Sequence, residues 1–257
     1  MIFLMGGRGY VGSAYARLLD RMGLDYEILT RENFDTYVGR SCDLFINANG
    51  NSVKFLADRE PLAEFDASVR SVVRSLTEIQ SKAYIFLSSG DVYPDTTSPD
   101  TSCETQSIDL TQNSRYGFHK FLAETYVRSR HPNAWVFRMG GFVGQGMVKN
   151  AIFDMLNDKP VWLDLESELS FINTDTAADY VYRVFASKTP PGTFNLGPRG
   201  TVLLRDVYRR LGSKSEVQPD ARRVRFELKT QKLEAALGAP LCTAQDEVEA
   251  FFQSLGR

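Results

Sequence analysis

Met1-Ile2-Phe3-Leu4-Met5-Gly6-Gly7-Arg8-Gly9-Tyr10-Val11-Gly12 opens the chain, and Ser13-Ala14-Tyr15-Ala16-Arg17-Leu18-Leu19 follows it. An apolar run entering a glycine cluster reads as a buried strand that ends in a tight turn, and the next segment has the pattern of a helix. The turn fits two spacings at once, Gly7-x-Gly9-x-x-Gly12 and Gly6-x-x-Gly9-x-x-Gly12. Glycine here lets the backbone reverse, lets a diphosphate approach the main chain, and lets the helix pack close to the strand. The helix start then offers free N–H groups and a partial positive charge to the diphosphate. Gly6, Gly7, Arg8, Gly9, Tyr10, Val11 and Gly12 are therefore expected to form a dinucleotide turn. With no basic leader before it, the first segment reads as a strand and not as a signal peptide.

Beyond this turn, short apolar and β-branched runs alternate with helical patterns, which favours a parallel sheet covered by helices. Strands are expected at 2–6, 26–30, 43–48, 83–88 and 134–138, with a weaker one at 192–196. Helices are expected at 10–22, 61–80, 110–130 and 174–186. The stretch 90–109 is rich in Ser, Thr, Asp and Pro and reads as surface loop. The fold class is thus α/β, a Rossmann-type doubly wound parallel sheet with a small C-terminal substrate-binding cap. Residues 1–140 plus about 174–197 would form the dinucleotide-binding part, and about 141–173 plus 198–257 the substrate-binding region.

The end of the second strand bears on the choice of cofactor. A carboxylate usually holds the ribose 2′-hydroxyl of NAD there. Here the sequence is Leu29-Thr30-Arg31. Arg31, with Arg8 closing from the glycine turn, would meet a 2′-phosphate, since guanidinium donors bind phosphate in pairs. NADP(H) is the expected preference. Glu32, next in sequence, keeps NAD(H) open.

Composition narrows the classes. The 257 residues suffice for one large α/β domain or a cofactor domain with a small cap. The 30 basic and 32 acidic residues nearly cancel with no basic stripe, so no nucleic-acid partner is expected. No apolar run reaches transmembrane length, so no membrane partner is expected. Three scattered cysteines, Cys42, Cys103 and Cys242, suggest reduced thiols in a cytoplasm, and with only two histidines no zinc site is expected.

Ser114-Arg115-Tyr116-Gly117-Phe118-His119-Lys120 holds Tyr-x-x-x-Lys. On a helix the two share a face. A lysine cation beside a phenol favours the phenolate and lowers its pKa, which suits a carbonyl reductase needing a positioned acid or, in reverse, a base.

In this context the chain resembles the extended short-chain dehydrogenases/reductases, also called the NAD-dependent epimerase/dehydratase family. Gly6–Gly12 is similar to its cofactor turn. Asn47-Ala48, with Asn49 after it, resembles the family's strand-three motif beside the adenosine. Leu87-Ser88-Ser89-Gly90-Asp91-Val92-Tyr93 resembles its Ser-Ser/Thr-x-x-Val-Tyr motif. The segment from Phe137-Arg138-Met139 through Gly144-Gln145-Gly146 resembles the stretch beside the nicotinamide. Phe171-Ile172-Asn173-Thr174-Asp175, Phe194-Asn195-Leu196-Gly197 and Leu228-Lys229-Thr230-Gln231-Lys232-Leu233 resemble later family motifs in the right order. The resemblance implies that Tyr116 is the general acid/base, that Lys120 holds the nicotinamide ribose and tunes Tyr116, and that Ser89 hydrogen-bonds the reacting oxygen. It places Asn47, Ala48, Asn49, Ser88 and Met139 against the cofactor.

Departures accompany the match. Gly141 replaces the usual Asn after the strand-five Arg, and Gly90-Asp91 replaces the Asp-Glu pair of dehydratases; Asp91 reads as a turn residue. His119 reads as a surface or packing residue. Arg222, Arg223 and Arg225 form either a diphosphate contact or a solvated basic strand.

The turn and Arg31 resemble most the branch of GDP-fucose synthase and dTDP-4-dehydrorhamnose reductase. That implies reduction of a keto group on a nucleotide-sugar. The alternatives are an epimerase or dehydratase with retained NAD, and a non-catalytic NADP-binding sensor, which the Tyr/Lys pair disfavours. A homodimer through the helices at 61–80 and 110–130 is possible in this family.

Overall fold

Ile2 and Leu4 point to one side of the first strand and Phe3 to the other, and all three are buried. Strands buried on both faces need apolar residues at every position, and the same holds for the runs around Phe45 and Phe86. The computed structural model describes residues 1–50 and 54–257. Its centre is a six-stranded, all-parallel sheet of β1 (Ile2–Met5), β2 (Tyr26–Leu29), β3 (Ser41–Asn47), β4 (Gln80–Ser89), β5 (Ala134–Met139) and a late strand, Gly192–Leu196. The spatial order is β2-β1-β3-β4-β5 followed by Gly192–Leu196.

Helices cover both faces. Leu4, Ile46, Ile85 and Phe137 pack with Leu18 and Leu19 of α1 (Gly12–Arg21) and with Ala177, Val181 and Val184 from the helix Thr174–Ala186. On the opposite face Phe3, Phe45, Tyr84, Phe86 and Val136 pack against Val72, Ala123 and Val127. A third cluster lies off the sheet, where Ile152, Met155, Val207, Val248 and Phe252 meet. It belongs to the irregular region after Met139 and to the C-terminal helix Ala244–Ser254, which starts with a Thr243/Asp246 capping box. Among the described residues no helix is long and apolar enough to cross a membrane.

Two helices differ from expectation. The region 61–80 is not one helix: α2 (Leu56–Arg59) and α3 (Pro61–Phe65) precede a π-helical turn, Asp66–Arg70, then α4 (Ser71–Thr77), and Gln80 already belongs to β4. Within this segment Ser68 donates back to the buried Glu64, which is also bonded to His119 of the helix that follows β4, a tertiary contact that apolar periodicity does not show. The helix expected at 110–130 begins only at Arg115, as α5 (Arg115–Arg130), because Ser114 caps it by accepting from Gly117 N at 3.1 Å. Strand β4 starts three residues early because its polar Gln80-Ser81-Lys82 end pairs with the outer end of β3.

Candidate active site

In a doubly wound sheet the ligand crevice opens beyond the carboxyl ends of the strands, where the winding changes direction. Here that point lies between β1 and β3. A cleft of about 830 Å³ fills it. One wall is Gly6, Arg8 and Gly9; a second is Thr30, Arg31 and Glu32 after β2; a third is Ala48, Asn49 and Gly50 after β3. Gly6 has φ +82°, and a Cβ there would stand 2.8 Å from the carbonyl of Ala48. Any other residue would push apart the junction from which the cleft opens. Helix α1 begins without a side-chain cap and carries no acid in its first turn, which suits an anion before it, although Ser13 N and Ala14 N already donate to Gly9 O and Val11 O.

The other turn residues work differently. Gly12 is buried, and a Cβ on it would come within 2.1 Å of Gly6 O, so its task is close packing of α1 on the turn. Gly7 is likewise buried, against Leu4 and Ile28. Neither lines the cleft. Tyr10 and Val11 are half-buried, and the Tyr10 hydroxyl has no hydrogen-bond partner among the described residues. Asn47 is a correction to the expected cofactor contacts. It is fully buried, donates to Tyr84 Oη at 2.8 Å and accepts from Asn49 N at 3.0 Å. It therefore braces the β3 end from behind.

Arg8 and Arg31 are both exposed at the cleft. Glu32 sits between their charges. Its carboxyl is held below the ordinary value, first by a hydrogen bond from Thr30 and then by its own backbone and the two arginines. Sequence reasoning missed Asp66, Ala67, Arg70 and Arg74, which line the far wall. No motif marks them: Asp66, Ala67 and Arg70 lie in the π turn and Arg74 in α4. Arg74 is already engaged by Glu78 and Asp35. The glycine junction, the uncapped helix start and the free guanidinium groups fit a dinucleotide with an anionic adenosine end.

Tyr116 and Lys120 lie one turn apart on the buried face of α5, with Lys120 Nζ 5.7 Å from the Tyr116 ring centroid. A Cβ on Gly50, at the end of the cleft, would meet Lys120 Nζ at 2.6 Å, so the lysine reaches the cofactor side. Ser89 ends β4 and donates to Asp91 Oδ2 at 2.8 Å, while Asp91 Oδ1 pairs with Lys54 at 2.7 Å. Gly117 holds this turn against α5: a Cβ there would fall 2.1 Å from Asp91 O. Asp91 lies in the 3-10 turn Gly90–Val92, as its turn reading has it, and its carboxylate in addition bonds Ser89 and Lys54.

The electrostatics also correct the sequence argument. Tyr116 is held above its ordinary pKa, first by burial and then by the charge of Asp91, with Glu64 adding to the rise; a hydrogen bond to Ser89 pulls it back. Burial lowers Lys120, against the pull of Glu64, Glu124 and Asp91. The expected lowering of the phenol by the lysine is not what the site gives, because burial and the carboxylates raise it. The cofactor-free site presents a protonated phenol that holds its proton more tightly than a free tyrosine.

Ser88 is the second correction. It is fully buried and donates to Glu124 Oε1 at 2.6 Å, away from the cleft. Glu124 also takes Arg138 at 2.8 Å, and Arg138 reaches Tyr93 Oη, which donates to Asn195. This network ties β4, β5, Gly192–Leu196 and α5 together behind the site. Met139 ends β5 and is half-buried. Arg225 is paired with Glu168 and Glu227 and so is not a free phosphate donor; Arg222 and Arg223 are exposed. His119 is buried on Glu64 rather than at the surface.

Residues 2–197 match the family described as "NAD dependent epimerase/dehydratase family". No curated protein sequence matches the chain. Among solved structures, a UDP-galactose 4-epimerase superposes with a TM-score of 0.79 at 18% identity, covering 99% of this chain and 98% of that one. The dTDP-4-dehydrorhamnose reductase of Bacillus anthracis str. Ames, in complex with NADP, gives 0.78 at 14% identity, with 98% and 97% covered. RMD from Pseudomonas aeruginosa, complexed with NADPH, gives 0.79 at 16%, with 98% and 97% covered. At these identities the likeness is one of fold.

Proposed function

Since the chain belongs to the NAD-dependent epimerase/dehydratase family of NAD(P)-dependent enzymes, we propose that it is an NADP(H)-dependent reductase acting on a keto group of a nucleotide-activated sugar. The observation that carries this reading is the pair Arg8 and Arg31, exposed on the cleft wall where the adenosine ribose would lie. Guanidinium groups there favour a 2′-phosphate, and a reductase that consumes its cofactor suits NADP(H). Solved structures of similar fold include a dTDP-4-dehydrorhamnose reductase in complex with NADP and RMD complexed with NADPH. In this reading residues 1–140 and about 174–197 hold the cofactor, and 141–173 with 198–257 hold the sugar.

When bound, the cofactor would supply hydride to the substrate carbonyl carbon. The chain's own residues do the rest. The carbonyl oxygen gains negative charge, and the Tyr116 phenol, kept protonated by burial and Asp91, gives it a proton. Ser89 Oγ, at the turn beside Tyr116, exchanges its bond to Asp91 for one to that oxygen. Lys120, against Gly50 at the cleft end, offsets the charge left on the phenolate and holds the ribose. Gly6, Arg8, Gly9 and Arg31 bind and orient the dinucleotide.

One observation favours a second reading. Asp91 places a carboxylate beside Ser89 and Tyr116, where a dehydratase or epimerase retaining NAD would want an acid. Turnover separates the two. On a 4-keto nucleotide-sugar, a reductase consumes NADPH in step with product, and Tyr116→Phe should cut kcat by about 10²–10⁴-fold with cofactor affinity nearly unchanged. Lys120→Ala should damage both. Product formed with no net cofactor consumption would move the assignment to the second reading, and full turnover in Tyr116→Phe would end both.

A further inference from the structure

Lys54 is an exposed lysine that no motif marks and that the reaction described above does not use. It leads into α2, where its carbonyl accepts from Ala57 N at 3.1 Å. Its ammonium donates to Asp91 Oδ1 at 2.7 Å. Asp91 Oδ2 accepts from Ser89 Oγ at 2.8 Å, and the Asp91 N–H donates back to the same hydroxyl at 3.2 Å. Both oxygens of the carboxylate are therefore engaged, one by a lysine from the segment after β3 and one by the serine that ends β4. Lys54 Nζ also stands 5.9 Å from the ring centroid of Phe226, in the strand Arg225–Phe226, within reach of a cation–π contact. That ring rests on the turn that carries Asp91: a Cβ on Gly90 would come within 2.8 Å of Phe226 Cζ.

Exposed ion pairs add little to stability, and Lys54 keeps 61% of its side chain exposed. What this pair can do is fix a direction. The main chain of Asp91 is already pinned by α5, since its carbonyl lies where a Cβ on Gly117 would come within 2.1 Å. The freedom left to the residue is rotation of its side chain, and the staggered rotamers differ in whether an oxygen faces Ser89. We propose that Lys54 is a positioning residue for Ser89: by bonding Asp91 Oδ1 it holds Oδ2 against the Ser89 hydroxyl and so keeps that side chain in one rotamer in the empty site. The inference rests on Ser89 being the group that meets the reacting oxygen, but its main test needs neither substrate nor turnover. It also gives Asp91 a task within the reductase reading, because a carboxylate with both oxygens engaged works through the serine it orients.

The test reads the Ser89 rotamer from its Hα–Hβ couplings by NMR in isotope-labelled, cofactor-free full-length protein, with Ser89→Ala identifying the resonances. The parent protein should show the couplings of a single rotamer. Lys54→Met keeps most of the side chain and removes the donor, and it should give averaged couplings, as Asp91→Ala should. Lys54→Ala carries the test if the methionine variant does not fold. Lys54→Arg restores a donor to Asp91 Oδ1 and should return the single rotamer. Lys54→Met combined with Asp91→Ala should match Asp91→Ala alone, because the lysine acts through the carboxylate. Parent couplings retained in Lys54→Met and Lys54→Ala would overturn the proposal, leaving Lys54 in a surface ion pair of no consequence for the site. So would averaged couplings in the parent, or Lys54→Arg as averaged as Lys54→Met. On a 4-keto nucleotide-sugar, Lys54→Met should lower kcat by up to about 10²-fold, the cost of a misplacement of about 1 Å, with NADPH affinity unchanged. A parent protein without turnover would instead strike the proposed reaction and leave the rotamer result intact.

Discussion

Gly117→Ala is the substitution with the sharpest geometric consequence for the site. A Cβ at Gly117 would stand 2.1 Å from Asp91 O and 3.0 Å from Asp91 C. Ordinary contact begins near 3.4 Å, so more than an ångström of separation must be created. Both partners are main chain, and no flexible side chain can give way. Helix α5 is held by Val127 and Ala123 in the core, so the 3-10 turn Gly90–Val92 is the part that moves. That turn carries Asp91, and Asp91 holds the Ser89 hydroxyl. Overpacking of this kind costs about 1–3 kcal/mol, while alanine for glycine inside a helix returns about 1 kcal/mol. The net loss of stability is then about 0–2 kcal/mol, a fall in Tm of no more than about 8 °C for a chain of this size. Catalysis should suffer more, because a misplacement of about 1 Å costs on the order of 10²-fold in rate. The assay is NADPH consumption on dTDP- and GDP-linked 4-keto sugars, with thermal melting and NADPH titration in parallel. Gly192→Ala is the control, since its Cβ would meet only the flexible end of Lys232 at 3.6 Å. A Gly117→Ala protein with normal melting and turnover within about threefold of the parent would refute the idea that this contact sets the site.

Arg31→Asp should weaken NADPH about 10–100-fold, the worth of one or two charge-assisted hydrogen bonds, and leave NADH nearly unchanged. Equal affinity of the parent for both cofactors would count against the NADP reading. Alkaline stability is the other expectation. Tyr93 is pushed up to about 12 by burial, and Tyr15, Tyr84 and Tyr116 are held above the ordinary value for the same dominant reason. The unfolded chain releases these protons near pH ~10 while the folded chain keeps them. The contribution is therefore fully present below pH ~10 and is lost as pH rises above it, by about 1.4 kcal/mol per pH unit for each such tyrosine. Urea midpoints measured from neutral to strongly alkaline pH should fall in that range; a flat profile would mean that these phenols ionise freely.

The fold was readable where one demand dominates. Strands β1, β3, β4 and β5 are buried on both faces over most of their length, so their composition announces them within a few residues, and the helix Thr174–Ala186 has the width of apolar stripe that a sheet-covering helix needs. The segment 61–80 failed because two demands compete there. Its residues must cover the sheet, as Val72 does, and also bury Glu64 and face Arg70 into the cleft. A broken helix with a π turn meets both, and no periodicity describes it.

The site divides along the same line. Gly6, Gly9, Tyr116 and Lys120 stand out because their tasks demand a residue type at a fixed spacing, either no side chain at a tight junction or a phenol and an amine one turn apart. Asn47 and Ser88 were read as contacts because the family resemblance places their motifs against the cofactor, yet both side chains turn inward to Tyr84 and Glu124. Strand alternation decides this: in β4, Ser88 faces α5 and its buried acid, while Ser89, one step on, reaches the site. The direction of the Tyr116 shift is the deepest case. Sequence shows the lysine, one turn along, and predicts an easier phenolate; it does not show that Asp91 and Glu64 arrive from other elements. Their sum, with burial, raises the Tyr116 pKa and keeps the phenol protonated in the cofactor-free chain. A binding-only sensor has no use for a buried acid, its lysine and two flanking carboxylates, each costly to bury. Their assembly, with Lys120 Nζ against Gly50 at the end of the cleft, therefore favours an enzyme over a binding-only sensor.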